Sequence, residues 1–439
     1  MSSRKVVLTC LVVLPVAGGL VLSGCAPATT SVPPAATSPS PSPSAHHGEA
    51  AGDPSARDVR LLLERLLGHH AILMVRLMRG RLEGEADFVD AADRALRRNT
   101  EELKGTVASV YGEEAGNNFE ALWTEHIVDL DAYSAAVADG DDGAADQAMR
   151  DLDDYAARYG QAVSDLTEGE LEPQAVADGV SAHIHHLLDA TDDFAASDYE
   201  SAFSGQRTAY AAMFGTGRDL SSAVVTSTTS SELPAGFDSP PAQLRSALGR
   251  LLGEHVELAF DATRAVVAGS ESGEAAAGAL SENTEEIITA MQGALGDRAA
   301  QRFSRVWADH IDALVQFSIA VADGDDQEQA RARALLDHFP RRLGSVLGGV
   351  SEGRVTAGTV IDALRTHDLQ LMQQVTAYAA RDYETSHDLA YAGYDHMFAI
   401  ADTLAKVLEG YTAGTSPRGG AATGGGGLAG ARVGSADRR

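Results

Sequence analysis

Cysteine is almost absent from this chain: two residues in 439, Cys10 and Cys25. Beyond position 25 there is no thiol, so no disulfide staples the fold and neither a thiolate metal site nor a cysteine nucleophile can exist there. Basic residues are also scarce, with 34 Lys and Arg against 63 Asp and Glu. That acidic excess repels phosphate backbones, which excludes nucleic acid as an expected partner, and it concentrates cations near the surface. Enzyme signatures are missing as well. The chain contains no HExxH and no P-loop; the G-x-S-x-G string at Gly349 to Gly353 and the G-x-G-x-x-G string at Gly425 to Gly430 are not preceded by the strand that a nucleophile elbow or a dinucleotide fingerprint needs. No pair of Glu-x-x-His motifs occurs, and Glu125-His126 is adjacent rather than spaced by three, which argues against a di-iron carboxylate bundle. The expectation is a protein that is not an enzyme.

The longest early apolar run, Val6 to Leu22, is short and glycine-containing for a membrane span. It follows a basic start, Arg4-Lys5, and ends in Leu22-Ser23-Gly24-Cys25, which resembles the lipobox of bacterial lipoproteins. The resemblance implies a signal peptide over 1–24 and a diacylglycerol thioether on Cys25, with a further acyl chain on the new amino terminus. The protein would then be held by lipid at the extracytoplasmic face of the cell membrane. The alternative is an ordinary signal peptide with a free cysteine. Residues 25–55, with the run Ser38-Pro39-Ser40-Pro41-Ser42-Pro43-Ser44, are too polar and proline-rich to bury a core and read as a semi-extended tether. His46 and His47 lie within it. Residues 226–241 (TSTTSSELPAGFDSPP) share that character and read as a linker, and 412–439, with Gly424 to Gly427, as a disordered tail.

Between these segments the chain repeats itself. Leu66-Leu67-Gly68-His69-His70 returns as Leu251-Leu252-Gly253-Glu254-His255. Leu122-Trp123-Thr124-Glu125-His126-Ile127 returns as Val306-Trp307-Ala308-Asp309-His310-Ile311, and Asp139-Gly140-Asp141-Asp142 as Asp323-Gly324-Asp325-Asp326. From Asn99 and Asn283 onward the offset stays at 184 residues, so the segments 56–225 and 242–411 are copies of one unit. Alanine and leucine dominate, β-branched alternation is scarce, and Gly or Asp-Gly breaks fall at helical lengths. The fold class expected is all-α: two tandem copies of an up-and-down helical bundle, about six helices each. The Asp-Gly-Asp-Asp segments lack the closing glutamate of a calcium loop and read as helix stops followed by an N-cap.

Chemistry, if any, sits on histidine. Of 14 histidines, three positions occur in both copies: His70 with His255, His126 with His310, and His183 with His367. Each falls on an apolar stripe of three-four spacing, for example Phe303, Val306, His310, Leu314, Phe317, which turns it toward a core. Facing side chains at one depth in a bundle can converge on an ion, and neutral imidazole suits copper, zinc, nickel or iron. The competing reading is a hydrogen-bonded polar network, with Tyr199 and Tyr383, Tyr210 and Tyr394, or Asn99 and Asn283 as partners; a bound haem is a third. The second copy adds Tyr394-Asp395-His396-Met397 where the first has Tyr210-Ala211-Ala212-Met213. His396 is therefore an additional candidate ligand, and Met397, Tyr394 and Met213 are accessory candidates or core fillers. His69, His185 and His186 have no counterpart and read as lining a solvated edge, as Glu101-Glu102 and Glu285-Glu286 read as a solvated helix face. Trp123 and Trp307 read as packing anchors.

The strings Leu-Gly-Glu-His at 252–255, Val-Trp-Ala-Asp-His-Ile at 306–311 and Asp-Tyr-Glu-Thr-Ser-His through Tyr-Asp-His-Met-Phe at 382–398 resemble a family of secreted bacterial helical repeats. Its members are often labelled copper amine oxidase amino-terminal-domain-containing proteins. The resemblance covers both repeats, excludes the tether and tail, and implies no amine oxidase activity. Its pattern matches His255, His310, His367 and His396 in the second copy, and the first copy departs from it at Ala212. The sequence thus points to an extracytoplasmic, lipid-anchored binder of copper or zinc. The alternatives are a structural, partner-binding or sensor bundle of the cell envelope, and a haem protein.

Overall fold

The computed structural model describes residues 56–229, 233–234, 236–350 and 357–412. The signal segment, the lipid-bearing Cys25, the tether with His46 and His47, and the glycine-rich tail expected above lie outside the described residues. Those described form twelve helices and no strand. The first repeat comprises α1 (Ala56–Glu83), α2 (Ala86–Tyr111), α3 (Glu113–Asp139), α4 (Asp142–Leu166), α5 (Pro173–Ala195) and α6 (Tyr199–Thr229). The second comprises α7 (Pro240–Ala268), α8 (Gly273–Leu295), α9 (Asp297–Asp323), α10 (Asp326–Val350), α11 (Ala357–Ala379) and α12 (Tyr383–Thr412). None of these helices is long and apolar enough to cross a membrane.

Local chemistry sets the breaks. Gly140 and Gly324 close α3 and α9 in the left-handed region, at φ 68° and 67°, which glycine adopts without a Cβ penalty. Asp141 then accepts from the Ala144 amide at 3.0 Å, and Asp325 from the Gln327 and Glu328 amides at 3.0 Å. Each acidic quartet is a stop and a cap, with its carboxylate at the positive end of the next helix.

Because the connections are short, neighbouring helices alternate in direction, and the odd-numbered helices of a repeat run the same way. In the first repeat α1, α3 and α5 touch one another, and each even helix lies over the seam between two odd ones. The second repeat packs identically, with α7, α9 and α11 inside. An inner triangle of parallel helices is therefore wrapped by three antiparallel ones, and the triangle's axis is where the apolar stripes common to both repeats meet.

The two bundles share a buried face with reciprocal contacts. Tyr210 donates to the Arg250 carbonyl at 3.1 Å and Tyr394 to the Arg65 carbonyl at 3.2 Å, while the two hydroxyls lie 3.2 Å apart. Tyr391 of the second repeat donates to Glu102 of the first, and at the matching positions Arg207 of the first pairs with Glu286 of the second. Such matched pairs are the signature of an approximate twofold axis, here between repeats of one chain. Gly68 and Gly253 permit the approach: a Cβ on Gly253 would sit 2.7 Å from both the Phe398 ring and the Tyr210 hydroxyl.

Three sequence expectations need correction. The linker is shorter than 226–241, since α6 runs to Thr229 and α7 starts at Pro240. Thr226 and Ser227 stay helical by returning their hydroxyls to the Ser222 and Val224 carbonyls, and Ser239 with Pro240 and Pro241 opens α7. What lies between is not a free tether: Phe237 is buried, and Asp238 is held by Arg60 and Arg218. His69 does not line a solvated edge. It is fully buried between the repeats, stacked on Tyr394 with centroids 4.1 Å apart and with Nε2 3.6 Å from Glu257. Glu102 and Glu286, finally, are held in inter-helix ion pairs rather than left to solvent.

Candidate metal centre

The inner helices of the second repeat carry His255, His310 and His367 near mid-length, each at most 1 % exposed. The stripe of buried Phe303, Val306, Leu314 and Phe317 fixes the rotation of α9 and so aims His310 at the axis. Leu248, Leu251 and Leu258 do the same for α7, and Val360, Leu364 and Leu371 for α11. The ring centroids are 6.2, 5.9 and 5.7 Å apart, and one nitrogen from each ring lies within 4.8 Å of the other two. An ion bound by imidazole at about 2.0–2.1 Å holds its nitrogens roughly 3.4 Å apart. A small rotation of the rings closes the difference.

Among the described residues, no ring nitrogen of these three has a hydrogen-bond partner. A buried polar group left unpaired costs about 1–3 kcal/mol, so three together are expensive unless something else satisfies them. Burial pushes His310 down to about 3 and holds His255 and His367 well below their ordinary value; the neighbouring imidazoles add to it. All three are therefore neutral near pH 7, with lone pairs available to a metal.

The surroundings are aromatic on two sides. Trp307 lies against His255 at 4.7 Å and Phe339 stacks on His310 at 4.1 Å. On the third side is Asp368, whose Oδ1 lies 3.4 Å from His310 Nδ1 without hydrogen-bond alignment. It is buried, and burial, with Asp337 nearby, drives its carboxyl well above the usual range. A carboxylate behind a histidine is the usual way to orient a ligating ring.

The first repeat differs. His70 and His126 are hydrogen-bonded to each other, Nε2 to Nε2 at 3.1 Å, while both nitrogens of His183 are unpaired and its ring centroid is 5.7 Å from that of His70. Burial again keeps them neutral: His126 falls to about 3, His183 to about 4, and His70 well below its ordinary value. The position matching Asp368 is Ile184. Among the described residues, the set of His255, His310 and His367 is the one group of three or more such donors whose atoms all lie within 4.8 Å.

His396 is not part of that set. It extends from the outer helix α12 and donates from Nε2 to the Ala363 carbonyl at 2.8 Å, because α12 faces the backbone of α11 rather than the bundle axis. Met397 and Met213 are buried in the hydrophobic cores of their own repeats, and Tyr394 serves the joint between repeats. The proposed polar partners of the histidines go elsewhere: Asn99 donates to the Leu66 carbonyl and Asn283 to the Leu251 carbonyl, both at 3.0 Å. His185 is exposed, and His387 is buried in the joint, donating to the Tyr383 carbonyl at 2.8 Å. Asp368 and Phe339 escaped the sequence reading. The available signal for Asp368 was a carboxylate on an apolar stripe, since Leu364, His367, Asp368 and Leu371 share one helical face.

No family model, no curated protein and no solved structure matches the chain.

Proposed function

We propose that this protein is a non-enzymatic transition-metal binder, taking copper or zinc at His255, His310 and His367. The observation that carries the reading is three buried, neutral, unpaired imidazoles with mutually close nitrogens, brought by three helices far apart in sequence. Retaining six unpaired or self-paired imidazole groups in two cores has a cost that a bound ion would offset in the second repeat. The amino-terminal pattern ending at Cys25 supports lipid attachment at the extracytoplasmic face, where such a protein would buffer or hand on metal ions.

For the first repeat, the hydrogen bond between His70 and His126 favours a structural polar pair over a ligand set. Over the haem alternative, the close packing of three rings with centroids 5.7–6.2 Å apart favours a single small ion.

Elemental analysis of untagged protein tests the reading, with the double variant His310→Ala, His367→Ala as control. Stoichiometric copper or zinc that disappears in the variant supports it. A metal-free protein after exposure to both ions would sink it.

A further inference from the structure

The donor set is unusual in three respects that bear on which ion it takes. First, it is three-fold: among the described residues no carboxylate or fourth imidazole lies within 4.8 Å of all three ring nitrogens, and His396 is committed to a backbone carbonyl. Second, the nitrogens are sequestered, each ring being at most 1 % exposed and walled by Trp307 and Phe339, so a solvent ligand has no ready approach. Third, a buried carboxyl stands beside His310: Asp368 is 3 % exposed, its Oδ1 lies 3.4 Å from His310 Nδ1, and among the described residues neither of its oxygens has a hydrogen-bond partner.

Zinc(II) with three protein ligands ordinarily completes its shell with water or another donor, and copper(II) favours a tetragonal set. Copper(I) carries a single charge, accepts low coordination numbers and is content with three nitrogens. Charge points the same way. A dication costs more than a monocation to hold in a dry interior beside three neutral imidazoles. Building on the metal-binding reading above, we propose that the second-repeat triad selects copper(I) over divalent ions, with Asp368 as positioning residue for His310. The first repeat, with Ile184 in place of Asp368 and a hydrogen-bonded His70–His126 pair, takes none.

The test uses the untagged full chain with Cys10→Ala and Cys25→Ala, which removes competing thiols. It is loaded anaerobically with copper(I) and, separately, with zinc(II), each against a chromophoric chelator, and then with both ions together. We expect one copper(I) per chain, retained when zinc(II) is present in equal amount, with X-ray absorption showing three nitrogen donors and no fourth ligand. Asp368→Asn should weaken copper(I) binding by about 10–100-fold, while the metal-free variant unfolds at the same or a higher denaturant concentration. Lost affinity without lost stability separates a positioning role from a merely structural one. Tighter retention of zinc(II), a four-coordinate spectrum, or unchanged copper(I) affinity in Asp368→Asn overturns the selectivity proposal and leaves the metal centre standing. Failure of the chain to bind either ion overturns both.

Discussion

Acidification should unfold the metal-free protein well above the pH at which carboxylates lose their charge, and the size of the effect follows from burial. In the unfolded chain histidine titrates near 6.5. In the fold, His126, His310 and His387 are pushed down to about 3 and His183 to about 4, desolvation being the largest cause in each. Above about pH 7 both states are neutral and nothing changes. As pH falls through 6.5 the unfolded chain binds protons that the fold refuses, so stability is lost progressively until the native values are reached. At pH 5 each of these groups has given up about 2 kcal/mol, or roughly 8 kcal/mol for the four. Glu257 acts the other way: burial raises it to about 7, so on acidification the fold takes a proton first and regains about 2 kcal/mol. For these five groups together the loss is about 6 kcal/mol, comparable to the whole stability of an ordinary domain. Urea denaturation followed by circular dichroism at pH 7 and pH 5, with chelator present, measures it. Equal midpoints at the two pH values would refute the reasoning, because they would mean these imidazoles are hydrated and protonated within the fold.

Other expectations concern packing and polar pairing. Gly253→Ala drives a methyl into Phe398 and the Tyr210 hydroxyl, both 2.7 Å away, and should cost about 1–3 kcal/mol in denaturant titration. An unaffected midpoint would show that the joint between repeats is loose. Asn283→Ala removes donors to the Leu251 carbonyl and to Glu254, at 3.0 and 2.8 Å, with an expected loss of about 1–3 kcal/mol by the same assay. Arg76→Met strips the partner from buried Glu257 and leaves Asp261 poorer in cations, so it should cost about 3–5 kcal/mol, and a smaller loss at pH 5 than at pH 7. His183→Leu should leave metal content untouched and be neutral or stabilising at pH 5; copper or zinc lost in that variant would move the centre to the first repeat.

Much of the fold was readable because its determinants are local. Periodic leucine and alanine, the Asp-Gly-Asp-Asp stops and the 184-residue echo define twelve helices in two bundles without reference to long-range contacts. The histidine stripes were legible for the same reason: three-four spacing places His310 among Phe303, Val306 and Leu314 whatever the neighbours are. Depth and facing of helices distant in sequence are not local properties. Hence His396, on a stripe of the outer helix α12, read like a ligand yet bonds a backbone carbonyl. Hence also His69, lacking an echo in the second repeat, looked solvent-facing. The duplication itself creates its burial, since the joint between copies is a surface neither copy's periodicity announces.

Anomalous diffraction at the absorption edge of the bound metal tests the central claim most directly. The account predicts a single strong peak among the ring nitrogens of His255, His310 and His367, and none between His70, His126 and His183. Peaks confined to surface carboxylates, or none at all in protein grown with the ion, would contradict it.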